Sequence, residues 1–348
     1  MAVFSLTLEV NNLPLDKFGS IQVTRAMSGL GISGVCTTQL TFTTPAPFYA
    51  SRAATVKLSG VGGLPTFYIS QRSVSKGIVT VTCLDKTAFL DEPFPIDDFT
   101  AAGDDIPLSQ IMTKIVSTVG FSGWGAMCNT SFNLSTTSLQ GVTCLDILNR
   151  IATACVGVWW CNPDENLQLV TFPNLAGGFR VEEHTAVDFG CEYSPTGVHM
   201  VDGRGNVHSR GSGMHKYDTI SVESDLITSS IADEVYNRIK NRVFKSFVCE
   251  KCKLYSPEIP AISSMVSFKQ FDDGSVTGLQ VNNIVASINS QGIFATLRFN
   301  EPNNDEIGLR GKLTSSLDNK VHYGEYGNDV VFTKYQGIMY KEEPEPEE

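Results

Sequence analysis

Two cysteines in the C-terminal half have the spacing of a metal-ligand or redox pair. Cys249 and Cys252 form the only C-x-x-C of the 348-residue sequence. A structural zinc site needs four ligands, and the sequence offers neither a second C-x-x-C nor an H-x3-H to complete one. A redox pair of this spacing belongs in a thioredoxin-like setting, which the flanking residues do not resemble. We interpret the pair as two thiols near a strand.

Three histidines lie close together in a segment rich in glycine and serine: His199, His208 and His215. Asp202, Asp218 and Ser209 accompany them, so a metal site or a Ser-His-Asp set is conceivable. Their spacing matches neither H-E-x-x-H nor G-x-S-x-G, and a triad is recognised by geometry alone. We interpret them as loop histidines and leave metal binding, by them or by the cysteine pair, open.

Other patterns with chemical potential have simpler structural interpretations. Three aspartate pairs fit turns and helix caps: Asp97-Asp98, Asp104-Asp105 and Asp272-Asp273. Two glycine-rich loops lack a phosphate-loop ending and fit hairpin connections: Gly60-Val61-Gly62-Gly63 and Gly203-Arg204-Gly205. Four basic residues fit the solvated face of a helix, or contact with an acidic partner: Arg238, Lys240, Arg242 and Lys245. We predict no catalytic, cofactor-binding or metal-binding residue, and a protein that is not an enzyme.

Composition narrows the function classes further. The chain has 26 Lys and Arg against 37 Asp and Glu, a net charge of -11, and 42% hydrophobic residues. This balance excludes global disorder and argues against a surface that coats nucleic acid. Its nine cysteines, odd in number and scattered, fit buried free thiols. No apolar stretch is long enough to span a membrane and no signal peptide is visible, so we expect a soluble protein made in the cytoplasm.

The elements that would position these residues fall into four stretches. Alternating apolar residues over 1–98 predict short strands in a small barrel or sandwich. Residues 99–175 predict an α+β insert with one helix capped by Asp105 and another running from Thr143 to a Gly157 cap. Strands return over 176–300, with a helix at 229–243. For residues 301–348 we predict a C-terminal extension that ends in a disordered acidic tail.

Two stretches carry a recognisable pattern. The first has the form T-x-x-D-I-L-x-x-I-A, then a glycine, a strand, an acidic turn and an L-x-L strand: Thr143–Ala152, Gly157, and Asp164–Leu169. The second is a pair of strands that ends in Asp85-Lys86: Thr66–Arg72 and Gly77–Lys86. Together they resemble the hub proteins of phage tail baseplates, over roughly residues 50–300 in element order.

The resemblance implies a fold and a function. Members of this family form the trimeric hub of contractile tails and related bacteriocins, and the N-terminal module of tail-tip proteins. It implies a mainly β fold, with two small related β-barrels flanking the α+β insert. It implies a homotrimer that adapts the six-fold tail tube to a spike or tip, within a contractile injection system. Expected partners are the tube ring, the spike or tip protein and the tape-measure protein, with DNA only as passing cargo.

That reading places the protein in the virion tail, assembled in the host bacterial cytoplasm. An acidic lumen that repels DNA follows from the net charge. Two other functions stay open: a host-adhesion module of a tail tip, and a cell-wall hydrolase.

Overall fold

The computed structural model describes residues 5–26, 34–99, 105–126, 132–171, 179–183, 187–212, 219–242, 244–254, 256–262, 264–269, 276–299, 330–333 and 337–340. Three α-helices occur in this part of the chain: α1 (Leu108–Val119), α2 (Cys144–Cys155) and α3 (Ser229–Ile239). None of them is long and apolar enough to cross a bilayer.

Strands dominate the described residues. Those before the helices are β1 (Thr7–Val10), β2 (Leu13–Pro14), β3 (Ile21–Ala26), β4 (Gly34–Cys36), β5 (Thr38–Pro45), β6 (Thr55–Ser59), β7 (Phe67–Ser75) and β8 (Ile78–Leu84). The insert adds β9 (Asp105–Pro107), β10 (Gly123–Ala126), β11 (Asn133–Ser135), β12 (Val158–Cys161) and β13 (Asn166–Val170). The third stretch adds β14 (Phe179–Glu183), β15 (Val187–Tyr193), β16 (Gly197–Val201), β17 (Val207–Gly211), β18 (Thr219–Glu223), β19 (Phe244–Leu254), β20 (Met265–Lys269), β21 (Val276–Gln280), β22 (Asn283–Asn289) and β23 (Gly292–Phe299). A final hairpin pairs β24 (Val330–Thr333) with β25 (Gly337–Tyr340).

One large sheet joins the first and third stretches. Its strand order is β2-β1-β6-β7-β8-β5-β3-β22-β23-β19-β14-β20-β21, with β15 also paired to β19. The junction is the antiparallel pair β3–β22, in which Ile21 lies opposite Ile288 and Ala26 opposite Asn283. The mainly β class is confirmed. The described pairings form an open path with no closed ring, so the two barrels stay a prediction.

The core of this sheet follows from strand alternation. In β5 and β8 every second residue is buried, and the buried set includes Leu40, Phe42, Val79, Val81 and Cys83. Successive side chains of a strand point to opposite faces, so alternation of this kind buries one face and solvates the other.

A smaller sheet, β10-β13-β12-β4, lies with α2 in the insert. Its edge strand β4 comes from the N-terminal stretch and runs parallel to β12. Trp159 of β12 is fully buried and donates its indole N–H to the carbonyl of Leu148 in α2 at 3.0 Å. The insert is therefore tied to the first stretch by backbone pairing as well as by packing.

Two predicted helix caps are wrong, and one is confirmed. Thr143 caps α2 through a reciprocal capping box with Asp146. The C-cap of α2 is Val156, at φ 50°, with Gly157 one residue beyond it. Asp105 does not cap α1, because Asp105–Pro107 pairs with Asn133–Ser135 as a strand and leaves Pro107 at the helix start. A long-range pairing has replaced a local cap.

A third layer covers the far side of α2. Strands β17, β16 and β18 form a sheet on which α3 packs. The helix predicted at 229–243 spans Ser229–Ile239, and its N-cap is Thr228, whose hydroxyl accepts from the Ile231 N–H at 3.2 Å. Its apolar face includes Ile231, Val235 and Ile239, all buried.

Candidate assembly surface

The C-x-x-C cysteines lie inside the large sheet. Cys249 is opposite Leu297 and Cys252 opposite Ala295, with a bulge between them at which Lys251 has a φ of 52°. The bulge turns both side chains to the same buried face, where a regular strand would separate them. Cys252 donates to the Ala295 carbonyl at 3.0 Å, and its hydrogen bond with Cys249 together with burial raises its pKa. A protonated, buried thiol is a poor metal ligand and nucleophile.

The two described histidines face opposite ways. His199 is exposed and lies opposite Ser209, with Nδ1 3.2 Å from the serine Oγ. His208 lies opposite the buried Met200, and its Nε2 is 3.3 Å from Asp202. Serine and carboxylate thus belong to different histidines, on different faces of the sheet. His215 and Asp218 lie outside the described residues.

The remaining candidate residues also separate. Asp97 and Asp98 are exposed in a short 3-10 turn, where Asp98 pairs with Lys114. Asp104, Asp272 and Asp273 fall outside the described part. Within the described ranges, no group of three or more His, Cys, Asp or Glu side chains could hold a metal ion.

Part of the basic face predicted for α3 makes contacts inside the protein. Arg238 is mostly buried and donates to Thr171 Oγ1 and to Glu234, so it joins α3 to the end of β13. Lys240 is exposed, with Nζ 2.7 Å from Asn237. Of the two, only Lys240 faces solvent as the sequence pattern predicted.

A buried arginine holds three parts of the chain together. Arg25 of β3 is fully buried and donates from Nη1 to the carbonyls of Ile259 and Pro260, at 3.2 and 2.6 Å. Its Nη2 donates to the Gly63 carbonyl, and its guanidinium lies 5.3 Å from the ring centroid of Trp160. Burial lowers its pKa to about 10, so it stays charged at neutral pH. Spacing along the sequence gave no signal for this contact.

The glycine-rich loop before β7 forms a backbone clip with the same segment. The Gly62 N–H donates to the Pro257 carbonyl at 2.8 Å, and the Ile259 N–H donates back to the Gly62 carbonyl at 3.1 Å. Gly63 has a φ of +76°, and a Cβ there would overlap the Ile259 carbonyl oxygen. The loop therefore needs glycine for close approach of two backbones.

Two ion pairs fix the insert to its neighbours. Lys86, just after β8, pairs with Glu165 in the acidic turn and donates to the Gly120 carbonyl at 2.7 Å. Arg150 of α2 pairs with Asp225, in the connection from β18 to α3, and donates to the Ser138 carbonyl at 3.2 Å. The insert is therefore joined on both sides by ion pairs whose cations, Lys86 and Arg150, are withdrawn from solvent.

One hairpin projects from this framework with both faces exposed. It is the outer half of β7–β8, residues Gln71–Ile78, which we name the distal hairpin. Its turn is Ser75-Lys76-Gly77, with φ values of 49° and 77° at Lys76 and Gly77 that match the tight turn predicted from sequence. Val74 is 68% exposed and Ile78 is 51% exposed.

The outer edge of the distal hairpin has no neighbour among the described residues. Strand β6 pairs with β7 only at Phe67 and Tyr68, and the flanking Ala53 and Ala54 bond to Ile69. A register shift between Ile69 and Gln71 then bends β7 away. Among the described residues nothing pairs with the outer backbone groups of Gln71–Ser75, and such groups are the usual template for pairing with another chain.

Comparison with known proteins places this fold. The chain is similar to a crystal structure of the 43 kDa tail protein of prophage MuSo2 from Shewanella oneidensis, with TM-score 0.57, 14% identity, and coverage of 87% of this chain and 99% of that one. It is similar to a tail protein from Neisseria meningitidis MC58, with TM-score 0.57, 12% identity, and coverage of 84% and 95%. Prophage tail protein gp18 from Listeria monocytogenes EGD-e matches at TM-score 0.50 and 13% identity, covering 88% and 97%.

No protein-family model and no curated protein matches the sequence. The structural matches extend over nearly the whole length of the three tail proteins. They confirm at the level of the fold what the motifs around Thr143 and Lys86 predicted: this chain has the fold of phage tail proteins.

Proposed function

We propose that the chain is a structural, non-enzymatic hub of a phage or phage-like tail. Three copies form a ring that adapts a six-fold tail tube to a three-fold spike or tip, in the virion tail, after assembly in the host bacterial cytoplasm. The single observation that carries this proposal is the fold itself, which matches two tail proteins over 99% and 95% of their lengths.

The contacts that join the parts of the chain support a structural role. Arg25, Lys86 and Arg150 lock the two β-rich stretches and the insert into one unit through withdrawn charges. Burying a charge is tolerated only where partners satisfy it, so these contacts make the arrangement specific. Separate recognition modules on a flexible linker would not need such ties.

The organisation along the chain completes the proposal. Residues 1–98 and 176–300 supply two β-barrels around the 99–175 insert, and 301–348 form a C-terminal extension. Partners are the tube ring above, the spike or tip protein below and the tape-measure protein within, with DNA only passing through.

The test is the native mass of the full chain, alone and co-expressed with neighbouring tail proteins. A trimer, or a trimer that forms only with a tube or spike partner, is the expected result. A monomer that no tail protein assembles would overturn the proposal. Binding of the purified monomer to host envelope would instead favour the tail-tip adhesion module, and clearing of peptidoglycan in a zymogram would favour a hydrolase.

A further inference from the structure

We propose that the distal hairpin, Gln71–Ile78, binds a second copy of this chain by pairing its open edge with an acidic surface of that copy. The inference rests on the proposed hub function and names the surface that builds the ring. Three independent properties of the hairpin support it: an open edge, an uncovered core face and an unusual charge.

The open edge supplies hydrogen bonds. Five residues of β7, Gln71–Ser75, pair with β8 on one side and with none of the described residues on the other. An open edge that carries charged side chains, here Arg72 and Lys76, does not pair indiscriminately, so its partner must offer the opposite charge. The terminal strand on the same side of the sheet, β2, is blunted more completely, since it has only two residues and one is Pro14.

The uncovered core face supplies apolar contact. Val74 lies opposite Val79 and Arg72 opposite Val81, so both point to the face on which Val79 and Val81 are buried. Val74 is nevertheless 68% exposed, because the core beneath β8 does not extend under this part of β7. An exposed apolar side chain on the core face of a sheet is typical of a surface that a partner protein covers.

The charge identifies the partner. Residues 17–84 contain six basic residues and no Asp or Glu, although the chain as a whole carries a net charge of -11. Arg72 and Lys76 place two of these cations on the exposed hairpin. All 37 acidic residues lie elsewhere in the chain, so another copy offers the complementary surface. A DNA partner fits less well, because two cations neutralise few phosphates and the strand edge and Val74 would stay unused.

The complementary surface lies at the other end of the same strand. After β8 the chain exposes four carboxylates, Asp91, Glu92, Asp97 and Asp98, of which Asp98 also pairs with Lys114 of the same copy. Seven residues of β8 separate them from the hairpin turn by about 20 Å. Two different patches at opposite ends of one hairpin join successive copies head to tail, and such contacts close into a ring when the rotation allows it.

The test is a charge reversal with a rescue. Arg72→Glu with Lys76→Glu should raise the dissociation constant between copies about 100-fold, measured by sedimentation on the full chain or with the neighbour that induces the trimer. Combining it with Asp91→Lys and Glu92→Lys should restore association to within about 10-fold. Lys17→Glu with Arg52→Glu is the matched control, since it changes the net charge equally at two exposed residues outside the hairpin.

The outcomes separate this inference from the hub proposal. A wild-type trimer that survives the hairpin reversal overturns the inference and leaves the hub intact. A wild-type chain that never trimerises overturns both. Loss of binding to a random DNA duplex, with association between copies unchanged, would assign the hairpin to nucleic acid and overturn the inference. Thermal unfolding of each variant checks that the fold is retained.

Discussion

Lys86 and Glu165 form a salt bridge that joins the two sequence motifs by which the fold was predicted. Lys86 ends the Gly77–Lys86 motif, and Glu165 lies in the acidic turn of the second motif, at a φ of 58°. Each motif taken alone is ordinary hairpin or helix sequence. Their contact explains why one motif ends in a lysine and the other has a glutamate in its turn, because this ion pair joins the first sheet to the insert.

The first prediction concerns the strength of that pair. The Lys86 side chain is 10% exposed and that of Glu165 is 24% exposed, so Lys86→Met leaves a withdrawn carboxylate without its main partner. We expect a loss of about 2 kcal/mol in the free energy of unfolding, measured by urea denaturation. The control is Lys114→Met, which breaks the more exposed pair with Asp98 and should cost at most about 0.5 kcal/mol. Equal losses in the two variants would contradict this.

The same pair predicts a pH dependence. Burial alone would raise the pKa of the Glu165 carboxyl, but hydrogen bonds from Lys86 and Thr66 hold it below its ordinary value of 4.5. A depressed pKa in the folded state contributes stability above pH 4.5 that is lost as the pH falls through the folded value. Glu165→Gln should therefore lose less stability than wild type on acidification below pH 4.5.

The comparison with Glu165→Gln is needed because another carboxyl acts in the opposite sense. Burial raises the pKa of Asp85, so its protonation favours the folded state as the pH falls. Taking the difference between wild type and Glu165→Gln cancels this contribution. A difference in unfolding free energy that does not change with pH across this range would contradict the assignment.

The third prediction tests the buried arginine. Arg25→Met removes the donor for three carbonyl oxygens and should lower the free energy of unfolding by about 3 kcal/mol or more. It should also shift the tryptophan emission, because the guanidinium lies over the ring of Trp160. Arg52→Met, at an exposed arginine of the same stretch, should change neither quantity. A lower free energy of unfolding for Arg25→Met, with the tryptophan emission of the folded protein unchanged, would contradict the position of the guanidinium over Trp160.

Sequence reasoning succeeded where the determinants are local. The start of α2 was predicted because a capping box is written within four residues, Thr143–Asp146. The tight turn at Lys76-Gly77 was predicted for the same reason. The cap at Asp105 failed because the decisive contact, with Asn133–Ser135, lies some distance along the chain. Local preference is a weak guide wherever a strand partner competes for the same residues.

The candidate surface was harder to predict for the same physical reason. Arg25 has its partners at Gly63, Ile259 and Pro260, most of them more than 200 residues away, and no spacing reveals that. The distal hairpin alternates like any half-buried strand, but its outer edge has no partner among the described residues and Val74 on its core face is exposed. One signal was present in the sequence: the absence of acidic residues between Asp16 and Asp85.

The last prediction compares two glycines with nearly the same φ. Gly63 and Gly77 have φ values of +76° and +77°, so alanine at either position must adopt a positive φ, at a cost of about 1–2 kcal/mol. Nothing lies within 4 Å of a Cβ added at Gly77, whereas one at Gly63 would overlap the Ile259 carbonyl oxygen. Gly63→Ala should therefore lower the free energy of unfolding by at least about 2 kcal/mol more than Gly77→Ala. Denaturant unfolding of both variants measures the difference. Equal losses would mean that the loop and the 257–260 segment are not held at the distance that the backbone clip requires.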